Sequence, residues 1–101
     1  MGRRVDLHRI FETILESKNV YFQPPESVKL KYPCIIYELA KLPVQHADDK
    51  AYLTGRGYDG ILIDTNPDTV LLDKLRRLPF CAFQKPYPAD NLNHYPFTIY
   101  Y

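Results

Sequence analysis

The sequence predicts an α+β domain in which two helices pack on one face of a small, mostly antiparallel four-stranded sheet, in the order α-β-β-α-β-β. Three observations carry this. Apolar residues recur at helical spacing near the N-terminus, an Asn-Pro-Asp sequence opens a second helical stripe in mid-chain, and several segments of strand length are rich in β-branched and aromatic residues.

The first helix is predicted over residues 4–17. Leu7, Ile10, Phe11, Ile14 and Leu15 recur at spacings of three and four, and Arg9, Glu12, Thr13 and Glu16 fall elsewhere. Residues 20–25 follow as an extended connection with an apolar anchor, because Pro24 and Pro25 cannot continue a helix. Residues 32–39 form the first strand, with Pro33 suited to a strand entry or an edge. Residues 58–64 form the second. The polar stretch between them shows no helical period, so the two strands are read as a long antiparallel hairpin.

At the second helix, residues 67–78, Asn66 is the N-cap, Pro67 occupies the first helical position, and Asp68 complements the positive end of the dipole. Leu71, Leu72, Leu75 and Leu78 make its buried stripe, and Pro79 closes it. A third strand spans residues 80–84, residues 85–91 form a loop, and a fourth strand runs from 92 to 101. In the last strand Asn93, Tyr95, Phe97, Ile99 and Tyr101 share one face, with His94, Pro96, Thr98 and Tyr100 on the other.

With 101 residues the chain has room for a single domain and one core. A formal charge of +1 gives no broad attraction to phosphate backbones. No apolar run approaches the roughly 20 residues of a membrane span, and the N-terminus lacks a signal-peptide apolar region, so the expectation is a soluble intracellular protein without membrane contact. Cys34 and Cys81 lie in apolar strand contexts and read as small core residues rather than a disulfide.

Catalysis finds no diagnostic spacing. His8 sits on the amphipathic helix as a satisfied, half-buried histidine. His46 with Asp48 and Asp49 reads as a solvated loop rather than a metal site, and the two cysteines lack the spacing of a zinc site. Gly55, Gly57 and Gly60 fall at the positions of a dinucleotide-binding loop, yet that loop opens a helix and this one enters a strand; a hairpin turn is the better reading. Asp59 and Asp64 flank a strand as some nuclease carboxylates do, without the accompanying lysine. The expectation is therefore a non-enzyme with no cofactor and no metal.

The 9 tyrosines point elsewhere. Most lie in or near strands, and a sheet this small cannot bury both faces. Tyrosine supplies large contact area at low rotamer cost, which favours a protein–protein surface, whereas ordinary β-propensity with half-exposed rings accounts for the same residues equally well.

The order of landmarks adds a resemblance. Tyr32-Pro33-Cys34-Ile35-Ile36-Tyr37-Glu38-Leu39 comes first, followed by the polar run Ala47-Asp48-Asp49-Lys50-Ala51-Tyr52-Leu53. Then come Ile63-Asp64-Thr65-Asn66-Pro67-Asp68 and Leu78-Pro79-Phe80-Cys81-Ala82-Phe83, and finally the C-terminal stretch from Tyr87 to Tyr101. Together these resemble the tail-completion or tail-terminator proteins of long-tailed phages. The resemblance covers nearly the whole chain, and its most specific piece is Ala89-Asp90-Asn91-Leu92-Asn93-His94.

It implies a structural virion protein of the neck: a subunit of a homo-oligomeric, typically hexameric ring that stops tail-tube polymerisation. That ring joins the tail to the head connector or stopper and lets DNA pass through its lumen without sequence-specific binding. Six copies of about 13 Å radius of gyration leave a central opening of about 30 Å. The implied interface candidates are Gln45, His46, Asp48, Asp49, Lys50 and Tyr52 in the polar loop. Tyr58, Tyr87, Tyr95, Tyr100 and Tyr101 are candidates among the strands, and Asp90, Asn91, Asn93 and His94 near the last turn. Asp90 and Asn91 also read as ordinary turn residues. The competing classes are a neighbouring head-completion or adaptor protein, a small cytoplasmic protein-binding domain, and, far behind, a metal-dependent nuclease.

Overall fold

The computed structural model describes residues 4–40, 57–79 and 81–101. Helix α1 (Arg4–Leu15) leads into strands β1 (Val20–Phe22), β2 (Cys34–Leu39) and β3 (Gly57–Asp64). Helix α2 (Leu71–Arg76) then precedes β4 (Cys81–Phe83), β5 (Tyr87–Ala89) and β6 (Leu92–Tyr100). The α+β class is as expected. The sheet, however, is mixed and six-stranded, ordered β1-β2-β3-β6-β4, with β5 also paired to β6.

Helix α1 ends two residues earlier than its periodicity suggests. Glu16 takes a left-handed φ of 54°. Its N–H donates to Thr13 O at 3.3 Å and the Ser17 N–H to Glu12 O at 3.2 Å, the pair of bonds that closes a Schellman cap. Its apolar stripe buries Leu7, Phe11 and Leu15 against the sheet. A fully buried Leu or Phe contributes about 1.5–3 kcal/mol.

The two added strands correct the four-stranded expectation. Residues 20–22 are an edge strand parallel to β2, registering Val20 with Ile35 and Phe22 with Tyr37. Three residues show no period of their own, and their partner lies beyond the connection through residues 23–33. Strand β5 lies in the segment expected to be a loop. It pairs antiparallel with β6 through Ala89 and Leu92, leaving Asp90 and Asn91 as a two-residue turn with φ of 53° and 62°. Positive φ at both central positions defines a type I′ hairpin.

Helix α2 is half the expected length. Asn66 Oδ1 does accept from the Asp68 N–H at 2.9 Å. Two flanking bonds have the same i→i+2 form, from Asn66 N–H to Asp64 Oδ1 at 3.0 Å and from Leu71 N–H to Thr69 Oγ1 at 3.2 Å. These local turns compete with the helical ladder and delay its first turn to Leu71.

The antiparallel pairing of β2 with β3 is as predicted, and β3 also pairs antiparallel with β6. One face of the sheet carries the core. Across the strands, register rows stack Val20, Ile35, Leu62 and Tyr95, then Phe22, Tyr37, Gly60, Phe97 and Phe83. Leu7, Phe11 and Leu15 of α1 and Leu75 of α2 close over them. The predicted alternation of the last strand holds, since Tyr95, Phe97 and Ile99 are buried and their neighbours half-buried.

Candidate functional site

Among the described residues no helix covers the opposite face of the sheet, and the register determines which side chains lie on it. Ile36, Ile61 and Pro96 are successive partners on β2, β3 and β6, so they make one apolar row. Glu38, Asp59, Thr98 and Ala82 make the next, and a third runs through Cys34, Ile63, His94 and Tyr87, of which Cys34 and Ile63 are buried. Between the first two rows lies a shallow groove of about 400 Å³, walled by Gln23, Pro24 and Gln84. Glu38 is exposed and Asp59 half-buried. Thr98 Oγ1 donates to Asp59 Oδ1 at 3.0 Å, a bond that orients the carboxylate without neutralising it.

At one end of this face the β5–β6 hairpin presents an aromatic pair. Tyr87 and His94 are cross-strand partners stacked at 4.9 Å and 12° between planes, and Tyr87 is 45 % exposed. His94 Nδ1 lies 3.3 Å from Leu92 O, so it carries the proton in that bond and leaves Nε2 as the free ring nitrogen.

A polar cluster ties α1 to β2 on the core side. Arg4 donates to the Tyr37 hydroxyl at 3.3 Å, and His8 Nδ1 lies 2.8 Å from the same oxygen. The guanidinium can only donate to that oxygen, and on the far side of the imidazole His8 Nε2 lies 3.9 Å from Glu12 Oε2. Burial raises the Tyr37 pKa above its ordinary value, with the hydrogen bond and charge of Arg4 acting more weakly the other way. The phenol is therefore a hydrogen-bonded tether, protonated at neutral pH. His8 is half-buried and satisfied, as read from the helix pattern. Burial likewise pushes the Cys34 and Cys81 thiols up to about 11, and both are free. Neutral thiols of this kind are poor nucleophiles.

The predicted interface residues divide into distinct groups. Gln45, His46, Asp48, Asp49, Lys50 and Tyr52 lie outside the described residues. Tyr58 and Tyr95 are corrections to the tyrosine-surface expectation: both rings point to the core face and are 2 % and 8 % exposed. Tyr58 packs edge-on to Tyr37 at 5.9 Å, and the Tyr95 hydroxyl donates to Pro67 O at 3.3 Å. Their period-two positions place them inward.

Asp90 and Asn91 form the turn, and the Asn93 amide reaches Asp64 O at 3.5 Å, tying β6 to the end of β3. Tyr101 packs against the core cluster, half-buried. Tyr87 and His94 thus pair on the face opposite the core, and Tyr100 shares that face at the other end of β6, beside Gly57. Sequence reasoning missed the strand at Tyr87–Ala89 and the groove over β2, β3 and β6. The signal for the strand was present in the two turn-forming residues between Ala89 and Leu92.

Among the described residues no group of three or more His, Cys, Asp or Glu is placed to hold a metal ion, and no helix is long and apolar enough to cross a membrane. Compared with known proteins, the chain matches no family model, no curated protein and no solved structure.

Proposed function

We propose that this chain is a structural subunit of a long-tailed phage neck, a tail terminator that assembles as a homo-oligomeric ring, caps the tail tube and meets the head connector. The observation that carries this reading is the ordered set of sequence landmarks ending in Ala89-Asp90-Asn91-Leu92-Asn93-His94. Its fold provides suitable material: a sheet with one face that no helix among the described residues covers, a groove on that face, and the Tyr87–His94 stack. A radius of gyration of 13.5 Å suits a ring whose lumen passes DNA. In this role the protein resides in the virion neck, after assembly in the host cytoplasm. It contacts the tail tube protein and the connector or stopper, and does no chemistry.

Electron microscopy of phage lacking the protein tests the proposal. Overlong or unjoined tails support it. Tails of normal length attached to heads refute it, and tails of normal length left unattached assign the chain to the adjacent adaptor role instead.

A further inference from the structure

We infer that this chain docks head to tail on a second copy of itself, the cleft between α1 and α2 of one subunit meeting the sheet-face groove of the next. Glu38 and Asp59 are direct register partners on the face opposite the core, which places two carboxylates side by side; like charges in that position are destabilising. Among the described residues no cation lies within ion-pair distance of either, and the Thr98 hydroxyl adds no positive charge. The acidic row borders the apolar Ile36–Ile61–Pro96 row, so the surface favours a partner that brings cations beside apolar residues.

The same chain carries that complement on its other layer. Ile10, Ile14 and Leu78 line a cleft of about 290 Å³ between the helices, and the charged residues at its walls are Arg9 and Lys74. Among the described residues no carboxylate lines it and neither cation has an acidic partner. One surface is apolar and acidic, the other apolar and basic. They lie on opposite layers of the two-layer fold, so a single molecule cannot bring them together, whereas two molecules can. The contact is heterologous, leaves one patch of each kind open at the ends of any linear assembly, and closes into a ring if the rotation permits. Closure into a ring rests on the terminator reading; the pairing of the two surfaces rests on the complementary charges beside their apolar residues.

Sedimentation velocity of the full chain over a concentration series, at low and high salt, tests this with Glu38→Lys and Lys74→Glu. Wild type should self-associate, and more weakly as salt screens the pairs. Each single reversal should weaken association by about tenfold or more while leaving the circular dichroism spectrum unchanged. An equimolar mixture of the two variants should recover it, because every junction in an alternating assembly pairs either two native patches or two reversed ones. The Glu38→Lys/Lys74→Glu double variant should recover it as well.

Three results overturn the inference: a wild-type chain that stays monomeric throughout, single variants that associate like wild type, or a mixture no stronger than the single variants. None of these readings depends on tail length in phage lacking the protein, so the two proposals fail separately.

Discussion

Replacing Gly60 with alanine adds one methyl group at the centre of the core and should destabilise the protein. Gly60 lies between Tyr37 and Phe97 in a row otherwise composed of aromatic residues, and the Phe97 ring lies across the space that a side chain would fill. A Cβ at this position would stand 2.5 Å from Phe97 Cζ, 2.8 Å from Cε2 and 3.0 Å from Cε1. Carbon atoms rest at about 3.5–4.0 Å, so the ring would have to move by roughly an ångström. It has little room to do so, being 1 % exposed and packed on Phe11 and Phe83 with ring centroids 5.9 and 5.5 Å away.

Overpacking of this kind costs about 1–3 kcal/mol, and the reduced freedom of the unfolded chain returns about 0.4–1 kcal/mol, for a net loss of about 1–2 kcal/mol. The midpoint of thermal unfolding should fall by about 4–15 °C. Urea unfolding followed by circular dichroism measures the difference directly. Phe97→Leu in the Gly60→Ala background should cost less than in wild type, giving a favourable coupling of about 1 kcal/mol in the double-mutant cycle. If Gly60→Ala proves as stable as wild type or more so, with an unchanged denaturant slope, the close approach of Phe97 is not what excludes a side chain.

Glu16→Gly should stabilise the protein by about 0.5–1 kcal/mol in the same assay, because glycine adopts the left-handed capping conformation without strain. Asn91→Val should cost about 1–2 kcal/mol, since a β-branched residue fits poorly at the φ of 62° required by the β5–β6 turn. Asn91→Gly should be neutral or slightly stabilising, and equal effects of the two would rule out the type I′ turn. Stability should decline as pH rises from about 9 to about 11. Over that range the unfolded thiols ionise near 9.0 while burial keeps folded Cys34 and Cys81 protonated up to about 11, so the folded state binds more protons and loses stability with rising pH. Tyr37 adds to the same trend at higher pH. The Cys34→Ala/Cys81→Ala variant should flatten the decline, and an unflattened curve would remove the thiols as its cause.

Elements with a period of their own were legible from the sequence. Leu7, Phe11 and Leu15 mark the buried face of α1, and the alternation from Asn93 to Tyr101 correctly separates the core face of β6 from the opposite one. The short elements were not legible. Val20–Phe22 becomes a strand because Ile35 and Tyr37 offer it a parallel partner, and a three-residue segment has too few positions to show any period. The length of α2 was obscured because Asn66, the best N-cap signal, bonds two residues ahead in a turn of its own before the helix begins.

The candidate surface divides in the same way. The abundance of tyrosine suggested contact area, but Tyr58 and Tyr95 are core residues and Tyr87 is exposed, a distinction set by which way the pleat points at each position. By itself the sequence determined the α+β class and the buried stripes of α1 and β6, because these follow from local spacing and backbone preference; the hairpin turn read at Gly55, Gly57 and Gly60 was not among them, since Gly57 and Gly60 lie within β3. Only the tertiary structure decided that Glu38 stands beside Asp59, that Ile36, Ile61 and Pro96 form one row, and that Arg9 and Lys74 share a cleft. Each of those neighbourhoods joins residues distant along the chain, and strand register or helix packing alone brings them together.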